Sequence, residues 1–197
     1  MRLLFNFITI IFFAASAFAA EGEASKQLED FRKVVNVMKE RAFSQNATQT
    51  GKGGIKITCT VMPSPSLTAV AWEISNPNNK PLDIKPGDIS LYAGSRKFRR
   101  MSPDQAVDVF CNWGDNMDSS NDSQEGWENL SGSPGNQTRK TMMRAAAFKF
   151  GESSEFSIAG ITYFGCRLRD LDSVTAEIKV DSDTFKFPFV GGRPPQQ

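Results

Sequence analysis

Apolar and polar residues alternate with a period of two in two separate parts of this chain. The first part runs from Ile55 to Leu91 and the second from Phe156 to Phe189. Successive side chains of a strand point to opposite faces, so this alternation is typical of strands buried on one side. Short strands with turn residues at even spacing predict a mostly β, antiparallel sandwich or barrel, and not alternating strands and helices.

Individual strands are predicted where the alternation is bounded by turn residues. They are expected near 55–61, 70–74, 82–84, 89–91, 96–100, 156–164, 174–180 and 185–189. The last two form the clearest hairpin, because Asp181, Ser182 and Asp183 supply turn chemistry between them. Gly160 lies inside a predicted strand and indicates a bulge there.

A helical pattern precedes the strands. Apolar residues recur at spacings of three and four over residues 25–43, and Ser25 is a suitable N-cap, which predicts an amphipathic helix. We expect its apolar stripe to pack on its own domain; docking to a partner or dimerisation is the alternative. Residues 44–54 are rich in Gln, Asn, Thr and Gly and are predicted to be a linker.

The main domain is expected to span residues 55–190, with a partly helical insertion at about 102–150. Ser102 and Gln105 match a capping box with proline at the first helical position, which predicts a helix at about 103–111. Residues 112–138 form a polar stretch too long for an ordinary connection, and residues 139–149 have a helix-favouring composition.

The first residues have the pattern of a secretory signal peptide. Arg2 is followed by a short apolar run, and Ala17-Phe18-Ala19 matches the small-x-small pattern that a signal peptidase cuts. The run is too short to span a bilayer, and no later segment is apolar enough to do so. We therefore expect residues 1–19 to be removed near Ala19 and the mature protein to be periplasmic or extracellular. At the other end of the chain, residues 191–197 are expected to be a disordered tail.

The composition excludes several classes of function. The chain has no histidine, so Ser-His-Asp and Cys-His catalysis and the common zinc sites are excluded. Its 23 basic and 22 acidic residues nearly balance, and whole-molecule attraction to nucleic acid or to an anionic membrane is not expected. No cofactor is expected, and a carboxylate pair is the remaining route to catalysis.

Three widely spaced cysteines, Cys59, Cys111 and Cys166, fit an oxidising compartment. Two of them are expected to form one disulfide, and spacing does not choose among the three pairings. The third is expected to be buried and inert, and a bond to another chain is the alternative.

Cys59 on one predicted strand, Trp72 on the next and Cys166 on a late strand resemble the Cys-Trp-Cys arrangement of immunoglobulin domains. The turns between Val70 and Leu91, together with the phenylalanine-rich hairpin, look like those of bacterial exported immunoglobulin-like proteins of unknown role. The resemblance covers residues 55–100 and 155–190 and implies an immunoglobulin-like β-sandwich. It departs from that family at Phe164, where the family has a tyrosine.

The strongest basic cluster of the chain consists of Arg96, Lys97, Arg99 and Arg100. Its charge density suits a sulfated, phosphorylated or lipid-A-like anion. The preferred interpretation is internal balance by residues 115–128, which carry five acidic residues and no basic ones.

The polar stretch contains two further candidates. Trp113 and Trp127 either anchor it on the core, which we favour, or form a platform for a sugar or a protein partner. Four oxygen-bearing residues there suit calcium in type but not in EF-hand spacing, and a flexible acidic loop is the preferred interpretation. They are Asp115, Asp118, Asn121 and Asp122.

Together these features predict a noncatalytic exported β-sandwich that binds or assembles with an envelope or secreted partner, with a polyanion or a glycan as candidate ligands. The alternative is a carbohydrate- or calcium-dependent binding domain, or a carboxylate-based hydrolase, that uses the 112–138 loop.

Overall fold

The computed structural model describes most of the chain between its two ends. The described residues are 29, 31, 32, 35, 45–64, 66–78, 80–116, 136–153, 155–168, 171 and 173–190. The strands are β1 (Gln45–Thr50), β2 (Lys56–Pro63), β3 (Thr68–Ser75), β4 (Leu82–Ile84), β5 (Ile89–Ala93), β6 (Arg96–Lys97), β7 (Arg100–Met101), β8 (Gly151–Ser153), β9 (Ser157–Phe164), β10 (Ser173–Val180) and β11 (Asp183–Val190). The helices described over their whole length are α1 (Pro103–Asn116) and α2 (Asn136–Ala145), with short 3-10 turns at Lys52–Gly54 and Pro86–Asp88.

The described part of the chain is mostly β, and its strand pairs are antiparallel. One sheet has five strands in the order β1-β2-β3-β9-β7, and another has four in the order β11-β10-β5-β6. Strands β4 and β8 form a separate two-stranded sheet. The predicted hairpin is present as β10 and β11, with Val180 paired to Asp183 across a two-residue turn.

The main core lies between the five-stranded and four-stranded sheets. Val70, Trp72 and Ile74 on β3 belong to the same buried cluster as Ile178 and Phe187 on β10 and β11. The rings of Trp72 and Phe187 meet edge to face, with 6.1 Å between their centroids. The alternation of both predicted strand regions is therefore explained by one shared interior.

A second core covers the opposite face of the five-stranded sheet. Ala69 and Ala71 of β3 pack there with Ala106 and Val107 of α1 and with Met143 of α2. These small β3 residues let the helices approach the sheet closely. Phe31 and Val35 are buried in the same cluster and have helical backbone. The rest of the predicted 25–43 helix lies outside the described residues, so the helix as a whole stays a prediction.

The predicted capping box is confirmed at the start of α1. The Ser102 backbone N–H donates to Gln105 Oε1 at 3.0 Å, and the Gln105 N–H donates to Ser102 Oγ at 3.1 Å. Helix α1 extends five residues beyond the predicted end at 111, and α2 begins three residues before the predicted 139 and ends at Ala145. The chain then turns back onto β9, because the Phe148 N–H donates to the Ile161 carbonyl at 2.9 Å.

The predicted linker at 44–54 is wrong, since most of it is the edge strand β1 and a 3-10 turn. Only Ala47 of β1 packs on the main core, which explains why alternation did not reveal the strand. Side-chain hydrogen bonds connect β1 to β11 instead. Gln45 exchanges hydrogen bonds with the backbone N–H and carbonyl of Val190, and Gln49 Nε2 donates to the Lys186 carbonyl at 2.6 Å.

The predicted disulfide is absent, because Cys59 and Cys166 are both free, buried thiols and every pairing requires one of them. Cys59 is paired with Trp72, which is paired with Gly160 on β9. Cys166 lies six positions further along the chain, just beyond the end of β9 at Phe164. Strand geometry separates the two Cα atoms by on the order of 15 Å, whereas a disulfide needs about 4.4–6.8 Å. Cys59 and Trp72 also share one sheet here, whereas immunoglobulin domains place the corresponding strands in opposite sheets.

Several predictions fall outside the described residues: the signal peptide at 1–19, the tail at 191–197 and the middle of the 112–138 stretch. Among the residues that are described, no helix is long and apolar enough to cross a membrane.

Candidate functional site

The basic segment, defined as residues 96–100, crosses from one sheet to the other. It follows a turn in which Gly94 has a φ of 57°, a conformation that favours glycine. Strand β6 is an edge strand of the four-stranded sheet, and β7 is an edge strand of the five-stranded sheet. Between them Phe98 is buried in the main core, and its N–H donates to the Leu91 carbonyl at 2.9 Å. The segment therefore forms a basic margin that joins the two sheets.

Three cations of the basic segment lie over aromatic rings. Lys97 Nζ is 5.7 Å from the Tyr92 ring centroid, and the guanidinium carbons of Arg96 and Arg100 are 5.2 and 4.3 Å from the rings of Phe98 and Phe150. A ring face attracts a cation without accepting its N–H groups as an anion would. Arg99 is exposed. The contacts thus hold the positive charges in place and leave N–H donors for another molecule.

The cations of the basic segment make no ion pair with any described residue. The ion pairs of the described part lie elsewhere, between Lys85 and Asp83, between Arg144 and Asp104, and between Lys186 and Glu177. The acidic residues expected to balance the segment lie in 115–128, whose side chains are outside the described set. Internal balance therefore stays a prediction.

Arg100 carries the least satisfied charge of this margin. Its Nη1 atom is buried and has no hydrogen-bond partner among the described residues. Burial lowers the pKa of the guanidinium from its ordinary value, because removal from water disfavours the charged form. A buried donor without a partner costs about 1–3 kcal/mol, and more when the group is charged.

A groove of about 430 Å³ lies at the end of the basic segment. Arg99 and Met101 line one part of it, and Gln105, Asp108 and Val109 of α1 line another, with Gly165 after β9. The Gly165 N–H donates to the Arg99 carbonyl at 3.2 Å, which ties the groove to the segment.

The other predicted site residues fall on parts of the chain that the structure does not describe, or describes only in their backbone. Trp113 lies in α1, but its side chain and the whole of Trp127 are outside the described set, as are the side chains of the four calcium candidates. Among the described residues, no group of three Cys, Asp or Glu side chains could hold a metal ion.

The two described cysteines are inert thiols in this environment. Burial raises the pKa of Cys59 well above its ordinary value of 9.0. Burial also raises the pKa of Cys166, partly opposed by a hydrogen bond with Thr68 and by the charge of Arg96. Neither is poised as a thiolate, so neither suits nucleophilic chemistry.

Sequence reasoning missed the aromatic partners of the cations and the groove. Tyr92 could have been found, since it pairs with Lys97 across a hairpin whose turn is readable. Phe150 lies fifty positions after Arg100 in the chain, and no local pattern connects the two.

Comparison with known proteins gives no match: no family model fits the sequence, and neither a curated protein nor a solved structure is similar to it.

Proposed function

We propose that this protein is a noncatalytic, exported binding module whose basic segment holds a polyanionic component of the cell envelope. The carrying observation is the set of exposed cations at this margin, Arg96, Lys97 and Arg99, which make no ion pair with described residues. Phosphate and sulfate oxygens satisfy guanidinium N–H groups in pairs, and several such anions in a row suit several cations in a row.

The compartment and architecture in this proposal rest on the leader at residues 1–19 and on the two sheets. Cleavage near Ala19 would deliver the chain to the periplasm or the exterior. We regard the fold as a β-sandwich that is immunoglobulin-like in having two antiparallel sheets over a common core, with a strand pairing of its own. The 25–43 helix is proposed to cover the outer face of the five-stranded sheet, next to Phe31 and Val35.

A purely structural role competes with this function. Short edge strands with charged side chains discourage edge-to-edge pairing between molecules, and β6 and β7 each have two residues. That role requires charge at the margin but no affinity for an anion, so a binding measurement separates the two.

The test is titration of the mature protein with inorganic polyphosphate, alongside the double variant Arg96→Ser, Lys97→Ser. Both side chains are exposed, so their removal should leave the fold intact. We expect affinity to fall roughly thirtyfold, since each cation near an anionic surface contributes about 1 kcal/mol. Rising salt should weaken the wild type more steeply than the variant.

The matched control is Lys56→Ser, Lys179→Ser, which removes the same charge from exposed sites on β2 and β10. If this control loses as much affinity as the margin variant, the binding reflects net charge alone and the proposal fails. It fails equally if the wild type does not bind polyphosphate.

A further inference from the structure

The groove beside the basic segment differs chemically from the segment itself. Gln105, Asp108 and Val109 are spaced by three and four along α1 and so lie on one face of that helix. Opposite charges, Arg99 and Asp108, line the same groove. A long polyanion fits poorly there, because the Asp108 carboxylate would repel it.

The groove also has an apolar part. Met101 and Val109 are half-buried, and Gly165 contributes backbone without a side chain. A Cβ atom built on Gly165 would make an ordinary van der Waals contact with Met101 Sδ at 3.9 Å. A ligand that fills the groove should therefore combine a negative group, a positive group and an apolar portion.

We propose that the groove binds one phospholipid whose headgroup carries a phosphate and an ammonium, so that the basic segment works at a lipid surface. Arg99 pairs with the phosphate, Asp108 with the ammonium, and Met101 and Val109 contact the first part of the acyl chains. Basic side chains just outside the groove are then attracted to neighbouring anionic headgroups. This inference rests on the proposed function, which it extends from a polyanion to a membrane.

The experiment measures co-sedimentation of the mature protein with vesicles of phosphatidylethanolamine and phosphatidylglycerol. The variant Met101→Gln, Val109→Gln removes the apolar lining and leaves the charge unchanged. We expect it to weaken vesicle binding about tenfold more than it weakens polyphosphate binding, because apolar contact is lost only with lipid. Val190→Gln, at an exposed valine on β11, is the matched control and should bind vesicles as the wild type does.

A second variant tests the headgroup. Asp108→Asn should lose affinity for vesicles that contain ethanolamine headgroups and lose none for vesicles of phosphatidylglycerol alone. Soluble glycerophosphoethanolamine should compete weakly with the vesicles, since it has no acyl chains.

The outcomes also separate this inference from the proposed function. If Met101→Gln, Val109→Gln binds vesicles as tightly as the wild type, or if Asp108→Asn does not discriminate between the vesicles, the lipid site is wrong. Retained polyphosphate binding that depends on Arg96 and Lys97 would then leave the proposed function standing. If vesicle binding does not depend on Met101 and Val109, and polyphosphate binding does not depend on Arg96 and Lys97, then both the lipid site and the proposed function are wrong.

Discussion

Gly160 shows how one missing side chain lets two layers meet. A Cβ atom at this position would lie 2.4 Å from the Phe148 Cα atom, closer than two such atoms can approach. The strand is regular here, since Gly160 pairs with Trp72 in register, so the expected bulge is absent. The glycine is needed because the chain after α2 crosses directly over β9.

Gly160→Ala should therefore destabilise the protein by about 3 kcal/mol, because the clash is with backbone that has to move. Urea unfolding at neutral pH measures this change. Gly87→Ala is the matched control, because a Cβ there meets nothing within 4 Å, and it should leave stability unchanged or slightly raised. Equal behaviour of the two variants would mean that the crossing is looser than described.

Cys59 should make the fold sensitive to alkali. Its pKa is raised by burial in the native state, so the thiol stays protonated there after the unfolded chain has begun to ionise. The contribution to stability is fully present below the ordinary pKa of 9.0 and is lost as pH rises above it. We expect the urea concentration at the unfolding midpoint of the wild type to stay level below about pH 8 and to fall as the pH rises above 9.0.

Cys59→Ala should be less stable at neutral pH but should lose less stability over the same pH interval. The buried Tyr163 hydroxyl also has a pKa that is raised by burial. Both proteins should therefore still lose some stability as the pH rises. Identical slopes would show that Cys59 does not ionise differently in the folded and unfolded chains.

Strand β1 is an element held by polar contacts more than by apolar ones. Gln45 and Gln49 satisfy backbone groups of Val190 and Lys186 on β11. Pro188 lies between those two residues, and its backbone nitrogen faces away from β10, as their backbone groups do. Its missing N–H therefore removes no hydrogen bond between β10 and β11. The margin between β1 and β11 is thus closed by side chains, as the opposite margin is closed by the basic segment.

Gln45→Ala, Gln49→Ala should loosen this margin and cost about 1–3 kcal/mol, at roughly 1 kcal/mol for each hydrogen bond lost. Amide hydrogen exchange should become faster in β1 and β11 and stay slow in β3. The control Asn46→Ala, Thr50→Ala changes exposed residues of the same strand and should leave exchange in β11 unaltered. Unchanged exchange in the glutamine variant would contradict the closing role.

At the scale of the whole molecule, one interior couples the two large sheets. Trp72 contacts Phe187 of the four-stranded sheet, and its Nε1–H donates to Thr162 Oγ1 at 2.9 Å within its own sheet. The Thr162 hydroxyl in turn donates to the Val70 carbonyl at 3.3 Å. The largest buried ring is thereby fixed in both sheets, and neither sheet can lose its partner without exposing it.

Phe187→Ala should cost about 3–5 kcal/mol through lost burial and the cavity left behind. Because the two sheets share the core, protection against amide exchange should fall in β2 and β3 as much as in β10 and β11. Phe156→Ala, at a side chain that is 60% exposed, should change stability little. Loss of protection in β10 and β11 alone would mean that the sheets unfold independently.

Much of the secondary structure could be predicted because its causes are local. The β10–β11 hairpin follows from alternation on both sides of a turn, and the start of α1 follows from Ser102 and Gln105. Strand β1 could not be predicted in this way, because its apolar content is small and its stabilising partners lie on β11. The cation–ring pair of Arg100 and Phe150 was missed for the same reason.

By itself the sequence determined which face of each main strand packs on the main core, where the hairpin turns and which histidine-dependent chemistries the chain lacks. These properties depend on neighbouring residues and on side-chain chemistry. Only the tertiary structure decided that Cys59 and Cys166 lie too far apart to bond, that β1 closes on β11, and that the basic segment joins two sheet edges beside a groove. Those features depend on strand order and register. They bring together residues that are far apart in the chain, so the local periodicity of the sequence does not predict them.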